Sequence, residues 1–88
     1  MPLLHFYAVV SPAQWTRRVA DELRLRLSAQ IGVDVHLAAE GINVLVPVGS
    51  QKESHQALQL VHHTVSEVEL DFADRPLQEG LTQLRITM

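Results

Sequence analysis

Five histidines among 88 residues are the first side chains to weigh for chemistry, as metal ligands or as acid–base groups. His55 and His62 are seven residues apart, which on one helix means a shared face but a separation of about 10 Å along the axis, too far to hold one ion. His62 and His63 point roughly 100° apart on the same helix. No His pair stands four apart and there is no cysteine, so the ligand spacings of a zinc site are missing. His5 and His36 fall on strand faces turned away from the core, and the expected strand order keeps those strands from being neighbours. The reading is solvated or surface-capping histidines, with no metal and no cofactor.

The arginines Arg17, Arg18, Arg24 and Arg26 come next, as a possible phosphate-binding stripe on one helix. Asp21 and Glu22 are interleaved among them. Arg17–Asp21, Arg18–Glu22 and Glu22–Arg26 are i,i+4 pairs, which makes a salt-bridged solvent face the simpler reading. Arg17 and Arg24 remain candidates for contact with RNA or with a partner.

The third feature is the run Leu37-Ala38-Ala39-Glu40-Gly41-Ile42-Asn43. It places two polar side chains, Glu40 and Asn43, in an otherwise apolar hairpin. Turn chemistry alone explains much of it: Gly41 supplies a φ > 0 position, Asn43 makes local side-chain-to-backbone hydrogen bonds, and Glu40 is exposed.

The elements that must position these residues follow from periodicity. In Leu3 to Val10, Leu4, Phe6, Ala8 and Val10 alternate with His5, Tyr7 and Val9, the pattern of a half-buried strand. Ser11 and Pro12 are suited to the N-cap and first position of a helix running from about Pro12 to Gln30, with Trp15, Val19, Ala20, Leu23 and Leu27 inward. Val33 to Ala39 and Ile42 to Val48 alternate again and form the two arms of the hairpin. Pro47 lacks an amide donor and should lie at a bulge or an unpaired position.

Gly49-Ser50 precedes a second helix, with Ser50 and Glu53 spaced as a capping box. Its inward face is Ser54, Ala57, Leu58, Val61 and Val65, and it should end between Thr64 and Ser66. Val68 to Phe72 reads as a further strand, Ala73 to Gly80 as turn-rich, and Leu84 to Met88 as a short terminal strand. The whole is one α+β domain over residues 1–88: a ferredoxin-like β-α-β-β-α-β sandwich with an extra short C-terminal strand, its antiparallel sheet carrying two helices on one face.

Composition bounds what such a domain does. Apolar residues are 47% and charged residues 19%, ordinary values for a folded domain, and the net charge of −3 lacks the cationic field of an autonomous nucleic-acid binder. Without cysteine there is no disulfide, thiolate ligand or cysteine nucleophile, in keeping with the cytoplasm. No apolar run spans a bilayer, so no membrane partner is expected. The loop Val10-Ser11-Pro12-Ala13 has neither the glycines nor the arginine of an acylphosphatase cradle, so the chain reads as no enzyme by itself.

The open face of the sheet offers Tyr7 as its one aromatic, too few for RNA bases to stack on, and the apolar Val9 and Leu45. That face is expected to be covered by another domain, a second copy or a terminal segment. Tyr7 and Leu45 join the arginines as candidate RNA or partner contacts.

The string Leu-Ala-Ala-Glu-Gly-Ile-Asn, set between a Phe6-Tyr7 strand and a Gly49-Ser50 helix start, resembles the N-terminal domain of the rhodanese-domain tRNA uridine hydroxylase family. The resemblance covers nearly the whole chain, and Glu40, Gly41, Ile42 and Asn43 match the family signature. It implies a ferredoxin-like accessory domain whose reactive cysteine resides in a separate rhodanese domain, with tRNA as substrate. Tyr7, Arg17, Arg24 and Leu45 are then candidates for tRNA binding or for packing on the rhodanese domain. The alternative is a stand-alone ferredoxin-like interaction module that pairs with a second copy of itself.

Overall fold

A computed structural model describes residues 2–73 and 83–88. Strand β1 (Leu3–Ser11) leads through a 3-10 turn (Ala13–Trp15) into helix α1 (Thr16–Ser28). Strands β2 (Asp34–Leu37) and β3 (Ile42–Pro47) form the hairpin, followed by helix α2 (Gln51–Ala73) and strand β4 (Gln83–Thr87). The sheet order is β2-β3-β1-β4, with every neighbouring pair antiparallel. This is an α+β fold of the ferredoxin-like type, with β1 and β3 at its centre.

Alternation along the strands sorts the two faces. Phe6, Ala8 and Val10 of β1, Val35 of β2, Ile42, Val44 and Val46 of β3, and Leu84 of β4 are buried. They meet Val19, Ala20, Leu23 and Leu27 of α1 and Ala57, Val61, Val65, Val68 and Phe72 of α2 in one cluster. Both helices therefore cover the same face. Phe6, fully buried at the centre, alone contributes about 2–3 kcal/mol by leaving water.

Four local expectations are corrected. Val68 to Phe72 is not a strand: α2 continues past Ser66 to Ala73, and there is no additional strand among the described residues, so the terminal strand is β4 itself. Val61, Val65, Val68 and Phe72 are spaced by four, three and four, a helical stripe, whereas Leu70, which a strand would have turned inward with its neighbours, is 69% exposed. The start of α1 is also different. Ser11 closes β1, Pro12 precedes the 3-10 turn, and α1 begins at Thr16, whose Oγ1 donates to the Ala13 carbonyl at 2.7 Å. The hairpin arms are shorter than the alternation suggests, because residues 38–41 form a four-residue loop closed by Ala38 N–H on the Gly41 carbonyl at 2.8 Å. Finally, Gly41 does not have a positive φ; its role is one of space, described below. The turn-rich reading of residues 74–80 lies outside the described residues.

Two expectations hold in atomic detail. Ser50 Oγ accepts from Glu53 N–H at 3.1 Å, and Glu53 Oε2 accepts in return from Gly49 N–H at 2.6 Å, a capping box displaced by one residue. Pro47 sits opposite Leu3, and β2 pairs with β3 only as far as Asp34 opposite Leu45. Val48 N–H reaches Pro2 of the β1 side, so the ring nitrogen of Pro47 faces the other way, past the end of β2, and no ladder bond is lost.

Candidate functional site

The face of the sheet that the helices leave uncovered is built from the alternate residues of all four strands. Cross-strand register lays them out in rows. Asp34, Leu45 and His5 form one row, and His36, Asn43, Tyr7 and Thr87 the next. Val9 stands opposite Arg85, and Leu3 opposite Pro47 at the far end. Leu3 is 58% and Val9 44% exposed, while Tyr7 and Leu45 are half-buried. Asp34 and Arg85 are the permanent charges of this face among the described residues, on opposite edge strands and of opposite sign.

The hairpin signature does not act as a unit. Ile42 is fully buried in the core and Glu40 is exposed in the loop. Gly41 is buried under Tyr7: a Cβ there would lie 2.3 Å from the Ala8 carbonyl oxygen and 2.9 Å from the tyrosine ring and hydroxyl. Asn43 reaches across strands, not along its own backbone. Its Oδ1 accepts from His5 Nε2–H at 2.8 Å, with His36 opposite on the other flank. His5 and His36 are thus separated by β3 and both border Asn43. The sheet gathers Tyr7, Asn43 and Leu45 on one surface, together with His5 and His36.

The arginines lie on the other side of the molecule, on α1. Arg24 is committed to Asp21 at 3.1 Å and to the Val35 carbonyl at 2.7 Å. Arg26 bonds Glu22 at 2.7 Å, Glu67 at 3.6 Å and Asp71, which ties α1 to α2. Its guanidinium is held above its ordinary value by the hydrogen bonds to Asp71 first and Glu22 second. Arg18 lies 5.1 Å from the centre of the Trp15 ring, a cation–π contact. Arg17 is exposed and makes no ion pair among the described residues. Of the i,i+4 pairs expected from spacing, Glu22–Arg26 forms, whereas Asp21 turns to Arg24 and Arg18 to Trp15. These cations compose no stripe, and neither Arg17 nor Arg24 shares a surface with Tyr7 and Leu45.

On α2, His63 bonds Glu67 at 2.5 Å, His55 lies 3.3 Å from Gln59, and His62 stands in a T-shaped contact with the Phe6 ring at 6.3 Å between centres. No group of three metal-ligating side chains occurs among the described residues. A groove of about 240 Å³, not foreseen from the sequence, opens between the end of α1 and the start of α2. Ile31, Val46, Val48, Ala57 and Leu60 line it, with Glu53, whose carboxylate is already held by Gly49 N–H. Its signal in the sequence is faint: Gly32 and Pro47, a residue without a side chain and one without an amide donor, in its wall.

The chemistry this arrangement offers is contact chemistry: Leu45 and Tyr7 beside the hydrogen-bonded His5 and Asn43 on the central strands, with Leu3 and Val9 toward the ends. No described helix is long and apolar enough to cross a membrane. No family model, curated protein or solved structure matches the chain.

Proposed function

We propose that this chain is a non-catalytic accessory domain that packs its open sheet face on a catalytic domain, a rhodanese domain being the partner the resemblance implies. The observation that carries this reading is the composition of the face: Leu3 and Val9 exposed, Tyr7 and Leu45 half-buried between them, with the charges of Asp34 and Arg85 offsetting each other. Apolar side chains exposed together on one surface favour a protein partner, which removes them from water. Binding tRNA would instead ask for several lysines or arginines along a phosphate track. The face has Arg85, and the chain as a whole carries a net charge of −3.

The test titrates the chain against a purified rhodanese domain of the resembled family, against tRNA, and against itself in a dilution series. Saturable binding to the rhodanese domain that changes little with salt, and that Leu45→Lys abolishes while the far-ultraviolet circular dichroism stays unchanged, is the expected result. Steeply salt-dependent tRNA binding with no protein partner would overturn it. Self-association alone, abolished by the same substitution, would replace it with the homodimerisation module.

A further inference from the structure

Among the described residues, strands β2 and β4 form the two rims of the sheet, each with a neighbouring strand on one side. Such a rim presents a row of N–H and C=O groups on which another strand can assemble. Register fixes which groups point outward. In β2, Ala38 N–H bonds the Gly41 carbonyl across the hairpin, so alternation turns Asp34 and His36 toward β3 and leaves Val35 and Leu37 facing out. In β4, Leu84 directs its N–H to a helix side chain and away from β1, which makes Leu84 and Ile86 the outward pair.

An ionisable side chain from the helical layer meets an outward group on each rim. Arg24 of α1 donates from Nη2 to the Val35 carbonyl at 2.7 Å, and Asp21 steadies its Nη1 at 3.1 Å. Glu69 of α2 accepts from Leu84 N–H through Oε2 at 3.1 Å. The signs match the groups: a cation covers the acceptor and an anion covers the donor. A strand arriving at either rim must displace that side chain and leave its charge without the partner it has now.

We propose that Arg24 and Glu69 are rim guards that close the sheet against strand addition by a second copy of this chain, β2 or β4 against its counterpart. The face is then the surface left for a partner. This inference stands on the rim hydrogen bonds and is independent of the accessory-domain reading.

The experiment compares R24A, E69A and the R24A/E69A pair with R24K and E69Q, all in a Leu45→Lys background that silences association through the face. Sedimentation velocity over a concentration series reads association, and circular dichroism with urea unfolding reads folding. Each alanine variant is expected to associate at a protein concentration about tenfold lower than the parent, the scale set by losing one charge-assisted hydrogen bond. The conservative variants keep a donor or an acceptor in place and should sediment like the parent. Alanine variants that remain folded and monomeric throughout would overturn the proposal. So would equal association of the alanine and conservative variants, since the donor or acceptor that the conservative variants retain would then make no difference at the rim. The single variants are read separately, so loss of folding in the double variant leaves each rim decided.

Discussion

At the scale of single residues, the close approach of β1 to the hairpin loop decides what position 41 tolerates. A methyl group at Gly41 would lie 2.3 Å from a backbone oxygen, Ala8 O, which cannot swing aside as a side chain can. Gly41→Ala is therefore expected to lower stability by about 2–3 kcal/mol, in the range of overpacking in a filled interior. Urea unfolding measures it. Adding Tyr7→Ala should not restore the loss, because removing the ring leaves the tighter contact with the backbone in place. Gly32, where an added methyl group would meet nothing within 4 Å and φ is not positive, is the control. Gly32→Ala should be neutral or stabilise by about 0.5 kcal/mol through the unfolded chain. That Gly41 matters could be read from the sequence, but the reason could not. A glycine between two alternating runs signals a turn, whereas its contact with Ala8 depends on β1 lying beside β3, a partnership set by distant residues.

At the scale of elements, α1 and α2 are joined on their outer side by Arg26, which takes Glu22 from its own helix and Glu67 and Asp71 from the other. The cluster is partly exposed, so Arg26→Met should cost only about 1 kcal/mol in thermal or chemical unfolding. Its pH behaviour follows from the raised guanidinium value. A cation whose folded-state value is raised contributes fully below its unfolded value and loses that contribution only as pH rises past the folded one. The difference between the parent and Arg26→Met should accordingly stay level from neutral pH to about pH 10, and a difference that shrinks across that interval would contradict the clamp. The same pair of helices shows where local pattern misleads. Strand alternation and helical spacing both place Val68 and Phe72 on one side; they differ at Leu70, which is exposed. The strands β1 and β3, the capping box and the place of Pro47 at the end of its strand were legible because each is decided by near neighbours. The end of α2 was not, because what continues the helix is packing within a core assembled from remote segments, Leu84 among them.

At the scale of the whole molecule, the layers divide the chain's polar chemistry in two. The helical side holds Arg18, Arg24 and Arg26 in internal contacts, with cations and carboxylates intermixed, while the sheet side mixes apolar and neutral polar side chains on its central strands and balances its two charges at the rims. The histidines and Asn43 of the candidate site were individually visible in the sequence as outward residues. Their grouping across three strands depends on a sheet order that no local pattern contains. A protein partner on this face has a consequence at one atom group. Tyr7 is the chain's only tyrosine, and its half-buried ring stands in the second row beside Asn43. Nitration of Tyr7 by tetranitromethane should proceed in the free domain and slow on addition of a saturating partner domain, with Leu45→Lys restoring the free rate. Tryptophan is a poor substitute as a reporter, since Trp15 is buried in the core beside Phe72 on the far side of the sheet. A partner that binds without protecting Tyr7 would place the contact on the helices, and the open face of the sheet would then need another occupant.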